Sequence, residues 1–185
     1  MIHLVLGRQG SGKTLFLVKK AYEYWKKGYK VYSNIALKFP YTPINLQDIV
    51  DCKLENGIVI WDEIHVNLPA RRSMSKKSIA ICDGFLSMIR KKKLEVYGTT
   101  QTPYKVDVRF RDEKDYVYLA EKWIYTEGSW QKDNKDFDKD TPVMIKLKIQ
   151  DLFNGAEIEY NFLANSYYDM YDTEEIVKIE DVVIE

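Results

Sequence analysis

The chain opens on a mostly apolar run, Ile2-His3-Leu4-Val5-Leu6, that ends in glycine. So little polar interruption predicts a short strand buried on both faces. From Lys13 to about Lys27 the rhythm changes: Leu15, Val18, Tyr22 and Trp25 recur at helical spacing, and Gly28 supplies the stop. Tyr29 to Leu37 is β-branched and aromatic and predicts one strand, closed off by Pro40 and Pro43. A short helix is expected around Asn45 to Asp51 and a turn at Asn56-Gly57. Ile58 to Trp61, apolar at every position, then predicts a second doubly covered strand.

Asn67 to Ser78 is a polar loop by composition, and Ile79, Phe85, Leu86 and Ile89 mark the inward side of a helix from about Ser78 to Lys92. Leu94 to Gln101 reads as a strand with a polar end. Asp107 to Arg111 alternates, which would point Arg109 and Arg111 to one side. Tyr116 to Tyr125 is a strand by composition, and Thr126 to Thr141 reads as a mobile hairpin tip. Val143 to Leu152 and Glu157 to Phe162, joined through Asn154-Gly155, form the clearest β-hairpin of the chain. Strands that alternate with helices and then give way to hairpins predict an α/β fold with a mainly parallel central sheet and a C-terminal antiparallel extension.

Length and composition narrow the class. With 185 residues, 45% of them apolar and 30% charged, the chain is expected to be one globular domain. Within it, residues 1–111 would form a nucleotide-binding core, 112–165 a β extension and 166–185 an acidic end. Cys52 and Cys82 lack metal-site or C-x-x-C spacing, so reduced thiols in a cytosolic setting are expected. No apolar run approaches the roughly 18 residues of a membrane span, and a first strand starting at Ile2 leaves no room for a signal peptide.

The net charge of zero conceals a division. Residues 1–111 hold 20 Lys/Arg against 9 Asp/Glu, and residues 112–185 hold 8 against 19. Such halves can occupy opposite faces of one fold. They also suit head-to-tail contacts around a ring, or a basic face for nucleic acid.

The chemistry begins at Gly7-Arg8-Gln9-Gly10-Ser11-Gly12-Lys13-Thr14, which fits the phosphate-binding pattern G-x-x-x-x-G-K-[ST] between a predicted strand and a predicted helix. In that setting backbone N–H groups and the helix N-terminus cradle phosphate. Lys13 would reach the β- and γ-phosphates of ATP, and the Thr14 hydroxyl would ligate Mg²⁺. The apolar strand ending in Asp62-Glu63 supplies the acidic partner such a site needs. Asp62 would hold Mg²⁺, usually through water, and Glu63 would polarise the attacking water. His65, without a second ligand, is no metal site and is read as structural. Thr99, Thr100 and Gln101 close a strand whose end should lie beside that of the Asp62 strand, so they are candidates to sense nucleotide state. Arg71, Arg72, Lys76 and Lys77 make the polar loop basic and are candidates for sequence-independent contact with DNA phosphates. Arg90 to Lys93 are the alternative, although cations at a helix C-terminus also have a dipole explanation.

Taken together, the loop, the strand Val31 to Ile35 with Asn34, the Trp61-Asp62-Glu63 strand end, Thr99-Thr100-Gln101, Arg109 and Arg111, and a late Tyr171-Asp172-Thr173-Glu174 resemble the viral genome-packaging ATPases of the FtsK/HerA superfamily. They also resemble the related zonular-occludens-toxin-like assembly ATPases of filamentous phages. The Asn34 strand and the T-T-Q are the discriminating parts. The resemblance implies a RecA-like P-loop NTPase fold with a strand inserted between the P-loop strand and the acidic strand. It implies a homo-oligomeric ring, usually a hexamer, that couples ATP hydrolysis to pulling double-stranded DNA into a preformed viral capsid at its portal vertex. The host cytoplasm, or the virion during assembly, is the implied location. Carried over by position, Lys13 and Thr14 bind phosphate and Mg²⁺, Asp62 assists the metal, Glu63 is the base and Gln101 the sensor. Arg109 and Arg111 are the candidates for an arginine supplied in trans, with Arg71 and Arg72 as alternatives. Filamentous assembly ATPases normally carry a transmembrane segment that is not read here, which favours the packaging branch. Another P-loop DNA motor, a small-molecule kinase of similar length and a non-enzymatic ATP-binding adaptor remain the rivals. Glu63 paired with Asp62 argues against the kinase, and the intact Lys13/Thr14/Asp62/Glu63 set argues against the adaptor.

Overall fold

In the computed structural model, the structure describes residues 1–70, 75–133, 138 and 140–176. Strand β1 (Ile2–Leu6) runs into the glycine loop and helix α1 (Lys13–Lys26). Next come β2 (Lys30–Ser33), β3 (Ile35–Leu37), β4 (Thr42–Pro43), α2 (Leu46–Val50) and β5 (Gly57–Trp61). Helix α3 (Lys76–Lys91), β6 (Leu94–Thr100) and α4 (Val108–Asp112) follow. Strands β7 (Tyr116–Thr126), β8 (Ser129–Lys132), β9 (Val143–Asp151), β10 (Glu157–Leu163) and β11 (Tyr171–Ile176) complete the described chain.

The main sheet has the order β10-β9-β7-β1-β6-β5-β2-β4, with β8 on β7. From β7 to β4 the neighbours are parallel, and β7-β9, β9-β10 and β7-β8 are antiparallel. The predicted hairpin is therefore β9–β10, and it extends the central sheet instead of forming a separate layer. Strand β6 stands between the glycine-loop strand and the acidic strand, as the resemblance implies. Alternation along β5 shows why its sequence is apolar throughout. Ile58 and Ile60 pack in the cluster under α1, while Val59 and Trp61 pack in the cluster under α2, α3 and α4. Both faces of this strand are covered, and all five residues are buried.

Four local expectations are corrected. The stretch from Tyr29 to Leu37 is two strands, because the Ser33 hydroxyl bonds the backbone of Ile35 at both its N–H (2.8 Å) and its C=O (2.7 Å). That local loop competes with the sheet ladder, and β3 leaves to pair with β11 instead. Asp107 to Arg111 is not strand-like. Asp107 caps α4 by accepting the Arg109 N–H at 3.0 Å, which commits the segment to a helix. Lys76 and Lys77 belong to the first turn of α3 and not to a loop, because Ser75 caps that helix by accepting the Ser78 N–H. Its buried side is Ile81, Cys82, Phe85 and Met88, with Leu86 and Ile89 only partly covered. Lastly, part of the expected hairpin tip is ordered as β8. Glu127 and Gly128 both take positive φ (52° and 77°), the requirement of a tight two-residue hairpin turn. Tyr125 and Trp130 then meet edge to face across the pair, with ring centroids 5.4 Å apart. Arg71, Arg72 and the segment 177–185 lie outside the described residues.

Candidate functional site

The site forms where the C-terminal ends of β1, β6 and β5 lie side by side, a placement fixed by the registers Leu6↔Thr100 and Trp61↔Gly98. The glycines earn their positions sterically. Gly12 sits at φ 87°, and a Cβ there would fall 2.2 Å from the Ile145 Cδ1 on β9. A Cβ on Gly7 would meet the Ser11 Oγ at 2.3 Å and the Ala120 carbonyl at 2.8 Å. Only a residue without a side chain lets the loop turn this tightly. Arg8, Gln9 and Gly10 are exposed, whereas Ser11 and Lys13 are buried. The Lys13 ammonium donates to the Gly7 and Arg8 carbonyls at 3.1 and 3.0 Å, which holds it across the mouth of the loop. The buried Ser11 hydroxyl has no hydrogen-bond partner among the described residues.

Asp62 is fixed on both its backbone and its carboxylate. Asn34 clamps the backbone: its Oδ1 accepts the Asp62 N–H at 2.7 Å and its Nδ2 donates to the Asp62 carbonyl at 2.9 Å. On the side chain, the Thr14 hydroxyl donates to Oδ2 at 2.9 Å and the Thr99 hydroxyl makes a short bond to Oδ1. Two of the positions that carry the family resemblance, Asn34 and Thr99, thus turn out to position one aspartate. We expect Asn34→Ala to lower stability by about 1–3 kcal/mol, since it strips both partners from the Asp62 peptide groups. It should also lower turnover more than ATP affinity. An unfolding midpoint in urea equal to that of the unaltered protein would contradict the clamp.

Glu63 differs from its neighbour in every respect. Its backbone is left-handed (φ 49°, ψ 48°), a conformation that costs a non-glycine residue about 1–3 kcal/mol. The Thr99 hydroxyl accepts the Glu63 N–H at 2.8 Å and helps hold that turn. The carboxylate oxygen Oε2 is buried and makes no hydrogen bond among the described residues. One carboxylate is therefore tied down, while the adjacent side chain, 37% exposed, is bonded to no hydroxyl among the described residues.

Three further residues reach this centre. His65, two positions on in the short 3₁₀ turn Ile64–Val66, brings Nδ1 to 3.2 Å from the Glu63 Oε2. Its contact lies within ion-pair range but out of line for a hydrogen bond. Tyr171, carried by β11, lies close enough to feel Asp62: burial and the negative charge of Asp62 push its phenol up to about 12. Thr100 is fully buried behind Thr99. Gln101 is exposed at the strand end.

The arginines are not aimed together. Arg109 binds the fully buried Asp107 through Nε (3.1 Å) and Nη2 (2.9 Å). Arg111 donates from Nε to Asp112 at 3.1 Å and lies over the Tyr104 ring. Two residues apart on a helix, they diverge by about 200°.

A phosphate chain and Mg²⁺ fit these groups. The loop presents backbone N–H groups, a buried ammonium and a buried hydroxyl, which suit phosphate oxygens. Thr14 Oγ1 and the Asp62 carboxylate are hard oxygen donors already in contact, as Mg²⁺ requires. No cluster of three or more His, Cys, Asp or Glu side chains suited to a metal occurs among the described residues.

The fold has well-defined relatives among solved structures. The chain is similar to the N-terminal domain of zonular occludens toxin from Neisseria meningitidis, with a TM-score of 0.58 and 22% identity over 92% of this chain and 98% of that one. It is also similar to the genome packaging NTPase B204 of Sulfolobus turreted icosahedral virus 2 in complex with ATP-gammaS, with a TM-score of 0.57 and 14% identity over 86% and 95%. The fold is RecA-like. A third likeness, to the flagellar accessory protein FlaH of Methanocaldococcus jannaschii, has a TM-score of 0.53 and 13% identity over 87% of this chain and 84% of that one. No protein-family model matches the chain, and no curated protein matches its sequence. Among the described residues no helix is long and apolar enough to cross a membrane.

Proposed function

We propose that this RecA-like P-loop chain hydrolyses ATP and, as a homo-oligomeric ring, drives double-stranded DNA into a viral capsid. The observation that carries the hydrolytic part is the division of labour between Asp62 and Glu63. Both Asp62 oxygens are engaged by threonine hydroxyls, one of them the Thr14 hydroxyl next to Lys13. The Glu63 side chain beside it bonds no hydroxyl among the described residues and is 37% exposed. A carboxylate so placed can take a proton from an attacking water, as a hydrolase needs. In this reading Lys13 and the loop N–H groups hold the phosphates, and Thr14 and Asp62 hold Mg²⁺. The ion, when bound, neutralises charge on the phosphate oxygens. Glu63 accepts the proton of the attacking water. Gln101, exposed at the end of β6, is the proposed sensor.

The motor part is supported by the Asn34 and Thr99 placements, which the resemblance to packaging ATPases singles out, and by the likeness to B204, a genome packaging NTPase. The second reading is a membrane-independent zonular-occludens-toxin-like virion assembly ATPase, supported by the likeness to the zonular occludens toxin domain. Hydrolysis stimulated by duplex DNA separates the two, because only the first requires it. The DNA contact is proposed for Arg71, Arg72, Lys76 and Lys77, the last two on the opening turn of α3.

For the arginine in trans, Arg111 is the better candidate, since Arg109 already serves as a clasp on Asp107. We expect Arg111→Ala and Lys13→Ala proteins, each inactive alone, to regain ATPase when mixed, because mixed rings join an intact P-loop to an intact arginine. Mixtures that exchange subunits yet stay inactive at every ratio would rule Arg111 out.

A further inference from the structure

Beside the acidic pair lies one more polar side chain, that of His65. Glu63 has to present one oxygen to water while its backbone is held in an uncommon left-handed turn. Asp62 needs no further help, being bonded through Asn34, Thr14 and Thr99. Among the described residues His65 is the polar side chain that reaches the Glu63 carboxylate, with Nδ1 at 3.2 Å from Oε2. The same nitrogen lies 3.3 Å from the Thr100 hydroxyl, which is fully buried at the end of β6 and also bonds the Thr102 carbonyl at 3.1 Å. The imidazole therefore fills the space between the acidic turn and the β6 end, touching one polar group of each.

The left-handed turn at Glu63 brings this about. It starts the 3₁₀ turn Ile64–Val66 and folds His65 back over the carboxylate two residues before it. Ile64 points the other way, into the core, where its Cδ1 lies 3.0 Å from the place a Cβ on Gly98 of β6 would take. The turn is thus anchored on its apolar side and leaves His65 as its polar arm.

We infer that His65 is a positioning residue for Glu63: its Nδ1, lodged between the Glu63 carboxylate and the Thr100 hydroxyl, fixes the direction of the carboxylate and ties it to the end of β6. The inference rests on the reading of Glu63 as the base. A carboxylate free to swing loses rate even when everything else binds normally, because displacement by about 1 Å can cost about a hundredfold. The β6 end leads through the short turn Pro103–Lys105 into the Asp107 cap of α4. A shift of that segment would accordingly be felt at the carboxylate through Thr100 and His65.

The test is a set of four single variants assayed for steady-state hydrolysis of Mg-ATP, with kcat and KM separated. His65→Ala should lower kcat about tenfold or more and leave KM for ATP within about threefold. His65→Asn places an amide nitrogen where Nδ1 stands and should recover kcat to within about threefold of the unaltered protein. His65→Gln, whose amide falls at the Nε2 position, should behave as His65→Ala. A merely space-filling histidine predicts no such order, since Gln is closer to it in volume. The Asn/Gln comparison decides the matter even if the alanine variant does not fold. Equal kcat for His65→Ala and the unaltered protein, or no advantage of Asn over Gln, would overturn the inference. Glu63→Gln is the fourth variant. If it is inactive while His65→Ala is fully active, the base assignment stands and the His65 role falls. If Glu63→Gln turns over normally, the base assignment itself is wrong, and the inference goes with it.

Discussion

Glu63→Gln is expected to reduce ATP turnover by about 10²–10⁴-fold, the usual consequence of removing a general base, while ATP binding stays close to that of the unaltered protein. The substitution is isosteric and keeps an oxygen near His65, so the left-handed turn and its Thr99 bond should survive. What it removes is basicity. In the proposed reading phosphate and metal binding belong to other groups: Lys13, Thr14, the glycine loop and Asp62. Affinity for a fluorescent ATP analogue and single-turnover hydrolysis measured on one preparation separate the two effects. Turnover at the unaltered rate would contradict the division of labour between the two carboxylates. A parallel loss of binding would mean that Glu63 is part of the phosphate or metal site.

Lys13→Ala should act at the other step and weaken ATP binding itself. Hydrogen bonds from a charged donor contribute about 1.5–3 kcal/mol, so removing the ammonium should weaken binding roughly 10- to 150-fold. Lys13 is 6% exposed, and alanine also takes away its packed stem. Lys13→Met keeps most of that volume and isolates the charge, and it should lose a similar factor. Isothermal titration with ATP and Mg²⁺ reads the constant directly. Unchanged affinity in both variants would show that the Lys13 ammonium, which now bonds the Gly7 and Arg8 carbonyls, stays there instead of meeting phosphate.

How much of this was legible in the sequence depends on the range of the interaction concerned. The glycine loop, β5 with its acidic end and the β9–β10 hairpin announce themselves over a few residues. Each is set by local sterics, by strand burial or by a turn, and each was read correctly as an element. A strand between β1 and β5 is what the family resemblance implies, and β6 stands there. The breaks were harder. A run such as Tyr29 to Leu37 looks continuous by propensity, and only the Ser33 hydroxyl and the distant partner β11 interrupt it. The α4 helix was hidden for a related reason. Five residues carry too little periodicity, although Asp107 as a cap was a signal that could have been used. Ser75 before Lys76 was another.

The centre itself was half legible. Residue type and spacing single out Lys13, Thr14, Asp62 and Glu63 as candidates, and Thr99 falls at a predicted strand end. The supporting contacts are not readable, because they join residues far apart in sequence: Asn34 with Asp62 and Thr100 with His65. His65 was set aside as structural since a lone histidine offers no metal site. Its proximity to Glu63 comes from the left-handed turn between them, which no propensity favours for glutamate.

The central claim is tested most directly by one assay: release of phosphate from Mg-ATP by the purified protein, with and without duplex DNA of random sequence, at about 50 and about 200 mM salt. A DNA-translocating ATPase should hydrolyse ATP without any small acceptor and be accelerated by duplex. The acceleration should be lost steeply as salt displaces phosphate contacts. Phosphate release that stays negligible in every condition, or appears only when a small hydroxylated acceptor is added, would contradict the account.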